Sequence, residues 1–382
     1  MARAPRASIP AAPLIVLMRR VLPWLLVAVA ALLFVAPLDP AFVERWYSGG
    51  VYLRLQPHVT AVSNRLPFAA FDLILVAAAA TATWIVVAAV RGFRRRERWR
   101  AVARATVRLL GVGAALYIWF LGAWGLNYRR VPLLERLELA HDAPTPATVL
   151  ALGQQAVERL NQLHAAAHAA PWIDPWHDRG LQEAFRVTQG YLADGGAAVP
   201  GRLKASILGS YFRWASVDGM VDPFALEVLA NPDLLPFEKP FVAAHEWSHL
   251  AGYANESEAS FVGWLTCVRA GDGAQYSAWL FLYWEVNSVL RPAERAALAA
   301  ALGRGPRADV AAISERVRRG QLPQLRRVSW AAYDQYLKAN RVEEGVRSYD
   351  AVITLLARAR FTKDWVPVRL DAPHDPPGGS AP

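Results

Sequence analysis

Three stretches of this chain are long and apolar enough to constrain everything else it can fold into. Residues 21–38 and 109–126 carry no charge, and residues 68–90 carry only Asp72. A run of this length spans the hydrocarbon core of a bilayer as a helix, because a spanning backbone must satisfy its own hydrogen bonds. The sequence therefore predicts three transmembrane helices, at about 21–38, 68–90 and 109–126. A signal peptide competes for the first, since Arg3, Arg6, Arg19 and Arg20 precede it and its end is Ala-rich. The two later segments anchor the chain in either case, which favours an uncleaved helix.

Charge has the same organisation. The chain has 42 Lys and Arg against 32 Asp and Glu, a formal net charge of +10. Such an excess would suit nucleic acid, but the arginines cluster where a membrane protein needs them. Arg91, Arg94, Arg95, Arg96, Arg98 and Arg100, followed by Arg104 and Arg108, lie between the second and third apolar segments. That is the positive-inside pattern, and such a loop also touches anionic headgroups. The expected placement is multi-pass in the cell (inner or plasma) membrane. The N-terminus and the 91–108 loop lie inside and everything after Asn127 lies outside. The bilayer is thus a partner and nucleic acid is not. The only cysteine, Cys267, excludes an intramolecular disulfide.

Chemistry concentrates in one stretch, Pro240-Phe-Val-Ala-Ala-His-Glu-Trp-Ser-His-Leu-Ala-Gly252. On a helix, His245 and His249 fall on one face one turn apart, so both can reach a single ion. Glu246 stands beside the first histidine, where a carboxylate can take a proton from activated water. This is the H-E-x-x-H pattern of zinc metallopeptidases. Gly252 can end the helix in a left-handed turn and bring Glu256 or Glu258 back towards the histidines. Two histidines and a carboxylate leave one position open, as a catalytic zinc shell requires; a closed structural site would usually recruit cysteine. The competing reading is a helix whose histidines only pack or face water.

Elsewhere the pattern is mostly helical. Residues 39–67 read as a mixed loop with interfacial aromatics. Residues 133–169 read as an amphipathic helix broken at 142–146, with Thr148 or a neighbour as cap. His164 and His168 repeat the four-residue spacing, but without an adjacent Glu they read as solvent-facing. The runs 203–212 and 215–224 read as two or three short strands, whose exposed edge could hold an extended peptide. Residues 276–290 are apolar but short, which favours a buried helix packed on the histidine helix over a fourth span. Helices are also expected near 333–340 and 348–356, and a disordered tail over 371–382.

Together with Trp124-Gly-Leu-Asn-Tyr-Arg129, the histidine stretch resembles a family of bacterial membrane proteins catalogued as a domain of unknown function, number 3810, and regarded as zincin-like. Members similar to this chain carry P-F-x-x-x-H-E-x-x-H-x-x-G-[FY]-x-x-E-x-E-A-N-F, seen here from Pro240 to Phe261 with Ser260 in place of Asn. The resemblance also takes in Glu227 upstream and Tyr336, Lys338, Gly345, Ser348 and Tyr349 downstream. It implies a zincin-like domain, mainly α with a small sheet, over 131–370, behind a membrane anchor over 1–130. It also nominates Glu227 and Tyr349 near the site. Tyr349 is a candidate oxyanion donor, against the plainer reading of a packed core tyrosine. Glutamate-ligand zinc peptidases often carry a polar residue four positions after the ligand, where it orients a histidine. Counting from Glu256, that place is Ser260; counting from Glu258, it is Val262.

The expectation is a membrane-anchored zinc metallopeptidase acting on peptide or protein substrates. Its metal is Zn2+, its ligands are His245, His249 and Glu256, its base is Glu246, and Glu258 supports the shell or faces substrate. The rivals are a non-catalytic envelope or binding protein with a zinc-stabilised fold, and an intramembrane protease. The polar 237–239 and 255–258 segments bracket the motif too tightly for the latter. Substrate preference and oligomeric state are not legible.

Overall fold

The computed structural model describes residues 11–94, 98–140, 142–192, 197–342, 351–362 and 365–370; for residues 11–20, 94 and 351 the backbone alone is described. The chain is mainly helical with one small sheet. Helix α1 covers Ala11–Val35, and α2 (Pro40–Phe42) runs through a π-helical stretch, Val43–Tyr52, into α3 (Leu53–Arg65). Then come α4 (Ala70–Arg94), α5 (Arg98–Ala123), α6 (Pro146–Ala167) and α7 (Arg179–Leu192). After these stand β1 (Leu203–Lys204), α8 (Gly209–Ala215), β2 (Gly219–Asp222) and β3 (Glu227–Ala230). Helices α9 (Lys239–Leu250), α10 (Glu256–Cys267), α11 (Asp272–Val289), α12 (Pro292–Ala301), α13 (Arg304–Gly320), α14 (Pro323–Ala339) and α15 (Ala351–Arg358) complete the order. Tyr349 and the 371–382 tail lie outside the described residues.

The chain divides into two compact units. One takes Met1–Pro37 and Asp72–Gly122. Its helices leave large apolar side chains outward, among them Leu32 (66% exposed), Val76 (58%) and Trp84 (63%), as a lipid-facing surface demands. Within it Gly111 lets α5 close on Pro23: a Cβ there would lie 2.8 Å from the proline Cβ. Two helices, Ala70–Phe93 and Arg98–Ala123, are long and apolar enough to cross a membrane. A third span results only if Val21–Val35 and Pro40–Arg65 count as one broken segment. The helix breaks between them because Pro37 and Pro40 cannot continue the ladder, and Asp39 caps α2 by accepting from Ala41 N–H.

The second unit holds Leu38–Phe71 and Ala123–Pro382. The stretch expected as a loop over 39–67 is helical instead and belongs here. Its buried polar residues explain why composition misled: Gln56 bonds the Val199 backbone twice, and Thr60 donates to the Leu226 carbonyl at 2.7 Å. The sheet has the order β1-β3-β2, with β1 parallel and β2 antiparallel to β3. It is smaller than the β-rich runs suggested, because residues 209–215 turn into α8, while β3 lies beyond them. Among the described residues β2 is an edge strand.

Helix α6 starts where sequence chemistry allows: Thr145 accepts from Thr148 N–H at 3.1 Å and Pro146 takes the first turn. The core forms around α9, α10 and α11, whose Trp247, Trp264 and Trp279 are fully buried. Trp264 packs edge-on against Trp279 at 5.3 Å, and Trp247 packs on Phe185 of α7 at 5.6 Å. Helix α11 is the buried helix expected over 276–290. Phe281 stacks on Phe241 of α9 at 3.8 Å, and Ser277 Oγ accepts from Phe241 N–H.

Candidate metal centre

Helix α9 presents the two histidines, and α10 returns the carboxylate. The turn between them depends on Gly252, whose φ of +87° disfavours any side chain with Cβ. The last carbonyls of α9 need partners beyond its own ladder, and the turn supplies some, Gly252 N–H donating to the His249 carbonyl at 2.9 Å. Side chains add to these: Trp124 Nε1–H donates to the His249 carbonyl (2.9 Å), Tyr52 O–H to Leu250 (2.7 Å) and Arg130 to Gly252, just past the helix (2.9 Å). Arg130 is itself clamped by both oxygens of Glu44, each at 2.7 Å. Asn127 lies so near the turn that a Cβ on Gly252 would come within 2.9 Å of its Oδ1. The Trp124–Arg129 motif and its neighbour Arg130 thus hold the turn. Asn255 then caps α10, accepting from Ser257 N–H at 2.9 Å, so that Glu256 is the first residue of the new helix.

The result is a convergence of three ligand-type atoms. Glu256 Oε2 lies 3.3 Å from His245 Nε2 and 3.4 Å from His249 Nε2. Donors held about 2.0–2.1 Å from a tetrahedral zinc ion stand roughly 3.3–3.4 Å apart, and the two separations to Glu256 match that edge. All three side chains are largely buried. Each imidazole is oriented through its other nitrogen. His249 Nδ1–H donates to the Tyr253 carbonyl at 2.7 Å, and His245 Nδ1 meets Ser260 Oγ at 3.2 Å. Both contacts leave Nε2 directed at Glu256. Tyr333 of α14 donates its hydroxyl to the other oxygen of Glu256. Tyr336 stacks on Tyr333 at 5.9 Å.

Electrostatics agree with the geometry. Burial acts to raise the Glu256 carboxyl, but the two histidines hold it well below the usual range. Burial likewise opposes charge on His249, yet the Glu256 carboxylate pushes it up to about 9. Glu246 is raised by burial. It is 3% exposed, and its Oε2 has no hydrogen-bond partner among the described residues. A buried carboxylate oxygen without a donor is costly unless something is meant to meet it. Space for Glu246 comes from Gly219 of β2, where a Cβ would fall 2.5 Å from its Oε1.

The remaining sequence candidates fall elsewhere. Glu258 points away from the histidines and accepts from Leu133 N–H at 2.6 Å; burial raises its carboxyl. Glu227 also stands apart from them. It accepts from Lys204 (2.7 Å), Ser63 (2.8 Å) and Phe71 N–H (2.8 Å), a buried ion pair that fastens β3. His164 and His168 are not simply solvent-facing, since both approach Asp309. Beyond the i,i+3 pairing of Tyr333 with Tyr336 on a helix, the sequence carries no signal for Tyr333, Gly219 or Arg130 at this site, and Tyr52, expected among interfacial aromatics, is instead fully buried against the end of α9.

Fold and site together define a mainly helical protein in which two adjacent helices supply a His-His-Glu group with a buried glutamate beside it. The chain belongs to the family DUF3810, described as a protein of unknown function, whose model matches residues 47–357. Neither curated proteins nor solved structures gave a match.

Proposed function

We propose that this protein is a membrane-anchored, zinc-dependent metallopeptidase with a zincin-like domain. The observation that carries the reading is the meeting of His245 Nε2, His249 Nε2 and Glu256 Oε2 beside the unpartnered, buried Oε2 of Glu246. Zinc is the metal these ligands suit, two imidazoles and one carboxylate. When bound, it supplies Lewis acidity, polarising a carbonyl and acidifying water. The chain's own groups do the rest. Glu246 accepts a proton at Oε2 and passes it to the leaving amine, and its raised pKa suits that exchange. Ser260 and the Tyr253 carbonyl hold the imidazoles, while Tyr333 holds Glu256. β2, an edge strand among the described residues that adjoins Glu246 through Gly219, is where an extended peptide would add to the sheet.

The apolar helices agree with membrane association. The positive-inside pattern of the 91–108 arginines supports an outside position for the domain after Asn127; a reporter fused after Arg96 should then read cytoplasm and one after Gly180 the outside. A zinc-stabilised, non-catalytic domain is the second reading. It is favoured by the low exposure of the ligands, 14%, 9% and 7%. Metal analysis of the purified protein with digestion of a peptide library separates the two. Glu246→Gln should keep zinc and fold but lose hydrolysis by about 10²–10⁴-fold. Equal cleavage by variant and parent would remove Glu246 from the chemistry. Stoichiometric zinc with no cleavage of any peptide would favour the structural reading.

A further inference from the structure

A second group of metal-ligand type lies away from this centre, on the helices α6, α11 and α13. His164 of α6 and His168, the residue that caps its C-terminus, stand one turn apart with their rings stacked at 4.5 Å and 26°. Both direct Nε2 at one atom, Asp309 Oδ2 of α13: His168 at 3.0 Å and His164 at 3.6 Å. Tyr276 of α11 donates its hydroxyl to the same oxygen at 2.5 Å. The contacts from His168 and Tyr276 are hydrogen bonds, and they use the two lone pairs this oxygen has to offer. The His164 contact, at 3.6 Å, is too long for a hydrogen bond. His164 Nε2 is nevertheless aimed at the same oxygen, so two imidazole nitrogens and a carboxylate oxygen converge as the ligands of one cation would.

We infer that His164, His168 and Asp309 form a second, exchangeable site for a divalent transition metal, zinc first among them. The three ligand atoms lie within 4.8 Å of one another. The two separations to oxygen bracket the roughly 3.3–3.4 Å edge expected between donors about 2.0–2.1 Å from tetrahedral zinc. The rings are held in place by aromatic neighbours. Trp172 meets His168 edge-on at 5.4 Å, and Tyr276 meets His164 at 5.7 Å. Gly305 makes room for His164, since a Cβ there would overlap the imidazole. Tyr276 orients the carboxylate through its hydroxyl on Oδ2. The histidine side chains remain 28% and 30% exposed, so an ion can enter and leave through water. No glutamate neighbours the pair in sequence, so the ion ties α13 to α6.

The inference is independent of the peptidase reading, and its test separates the two. Metal-stripped full-length protein in detergent is titrated with Zn2+ against a chromophoric chelator, and in parallel with Co2+, whose visible absorption reports nitrogen and oxygen ligation. His164→Ala/His168→Ala should lose one equivalent relative to the parent. His245→Ala/His249→Ala should keep an equivalent that disappears when the two pairs are combined. Tyr276→Phe keeps the ring but frees Asp309, and should weaken that equivalent by about 10-fold. If the alanine pair fails to fold, His168→Gln with Asp309→Asn replaces it, folding being checked by circular dichroism. A folded His164→Ala/His168→Ala variant with the parent's metal count overturns the proposal and leaves a hydrogen-bonded cluster. A count that falls there but not in His245→Ala/His249→Ala upholds this site and removes zinc from the other.

Discussion

Gly263 of α10 lies directly against the backbone of α9 at His245, a contact that spaces the two helices of the candidate metal centre. A Cβ at 263 would lie 2.9 Å from His245 N and 3.0 Å from His245 Cα. Both are backbone atoms, so no rotamer change can relieve the clash. Carbon atoms prefer about 3.5–4.0 Å, so Gly263→Ala must open the helix pair by about 0.5 Å or more. Overpacking of this kind costs about 1–3 kcal/mol. For a unit of this size, that is a fall in Tm of about 2–10 °C. The consequence for the metal is sharper. Glu256 rides on α10 and both histidines on α9, and metal–ligand distances tolerate only about 0.2 Å. Zinc affinity should therefore drop by about 10-fold or more. Gly190 of α7 is the control, because a Cβ there meets nothing within 4 Å. Gly190→Ala should be neutral or stabilising, as alanine is the better helix former by about 1 kcal/mol. Thermal melts and chelator competition on both variants give the comparison. A Gly263→Ala protein with the parent's Tm and zinc affinity would refute the argument that this contact spaces the ligands.

Other outcomes rest on the same geometry. Glu256→Ala should abolish stoichiometric zinc at this centre, whereas Glu258→Ala should keep it and lose about 1–3 kcal/mol of stability by orphaning Leu133 N–H; zinc loss in Glu258→Ala alone would reverse the assignment. Tyr333→Phe, which removes the hydroxyl on Glu256, should weaken zinc by about 10-fold with little change in Tm, as chelator competition would show. Asp222 is fully buried, and burial pushes its carboxyl up to about 7 against the N–H bonds from Phe224 and Ala225. Because the folded value lies above the unfolded one, its contribution is full in acid and is lost as pH rises through about 7. Asp222→Asn should therefore lose less stability than the parent between about pH 5 and pH 8, and a steeper loss in denaturant melts would contradict the burial argument.

The parts of this protein legible from sequence are those fixed by local periodicity. Runs without charge located the long apolar helices, and four-residue spacing put His245 and His249 on one helix face. Gly252 marked a left-handed turn because only backbone sterics were needed to see it. The interval from Glu256 to Ser260 also favoured Glu256 over Glu258, since residues four apart share a face, and the structure brings Glu256 to the histidines and Ser260 to His245. What sequence could not give was set by segments distant in the chain. The helical run over 40–65 looked like a loop because its buried Gln56, Thr60 and Ser63 find their partners more than a hundred residues away. Trp124, Tyr52 and Arg130 carry no periodic signal of their own, yet they satisfy the carbonyls that end α9. His164 and His168 read as surface histidines until α13 delivered Asp309 to them. Local pattern names the residues able to ligate; only packing decides which carboxylate arrives, because that depends on how closely one helix can approach another.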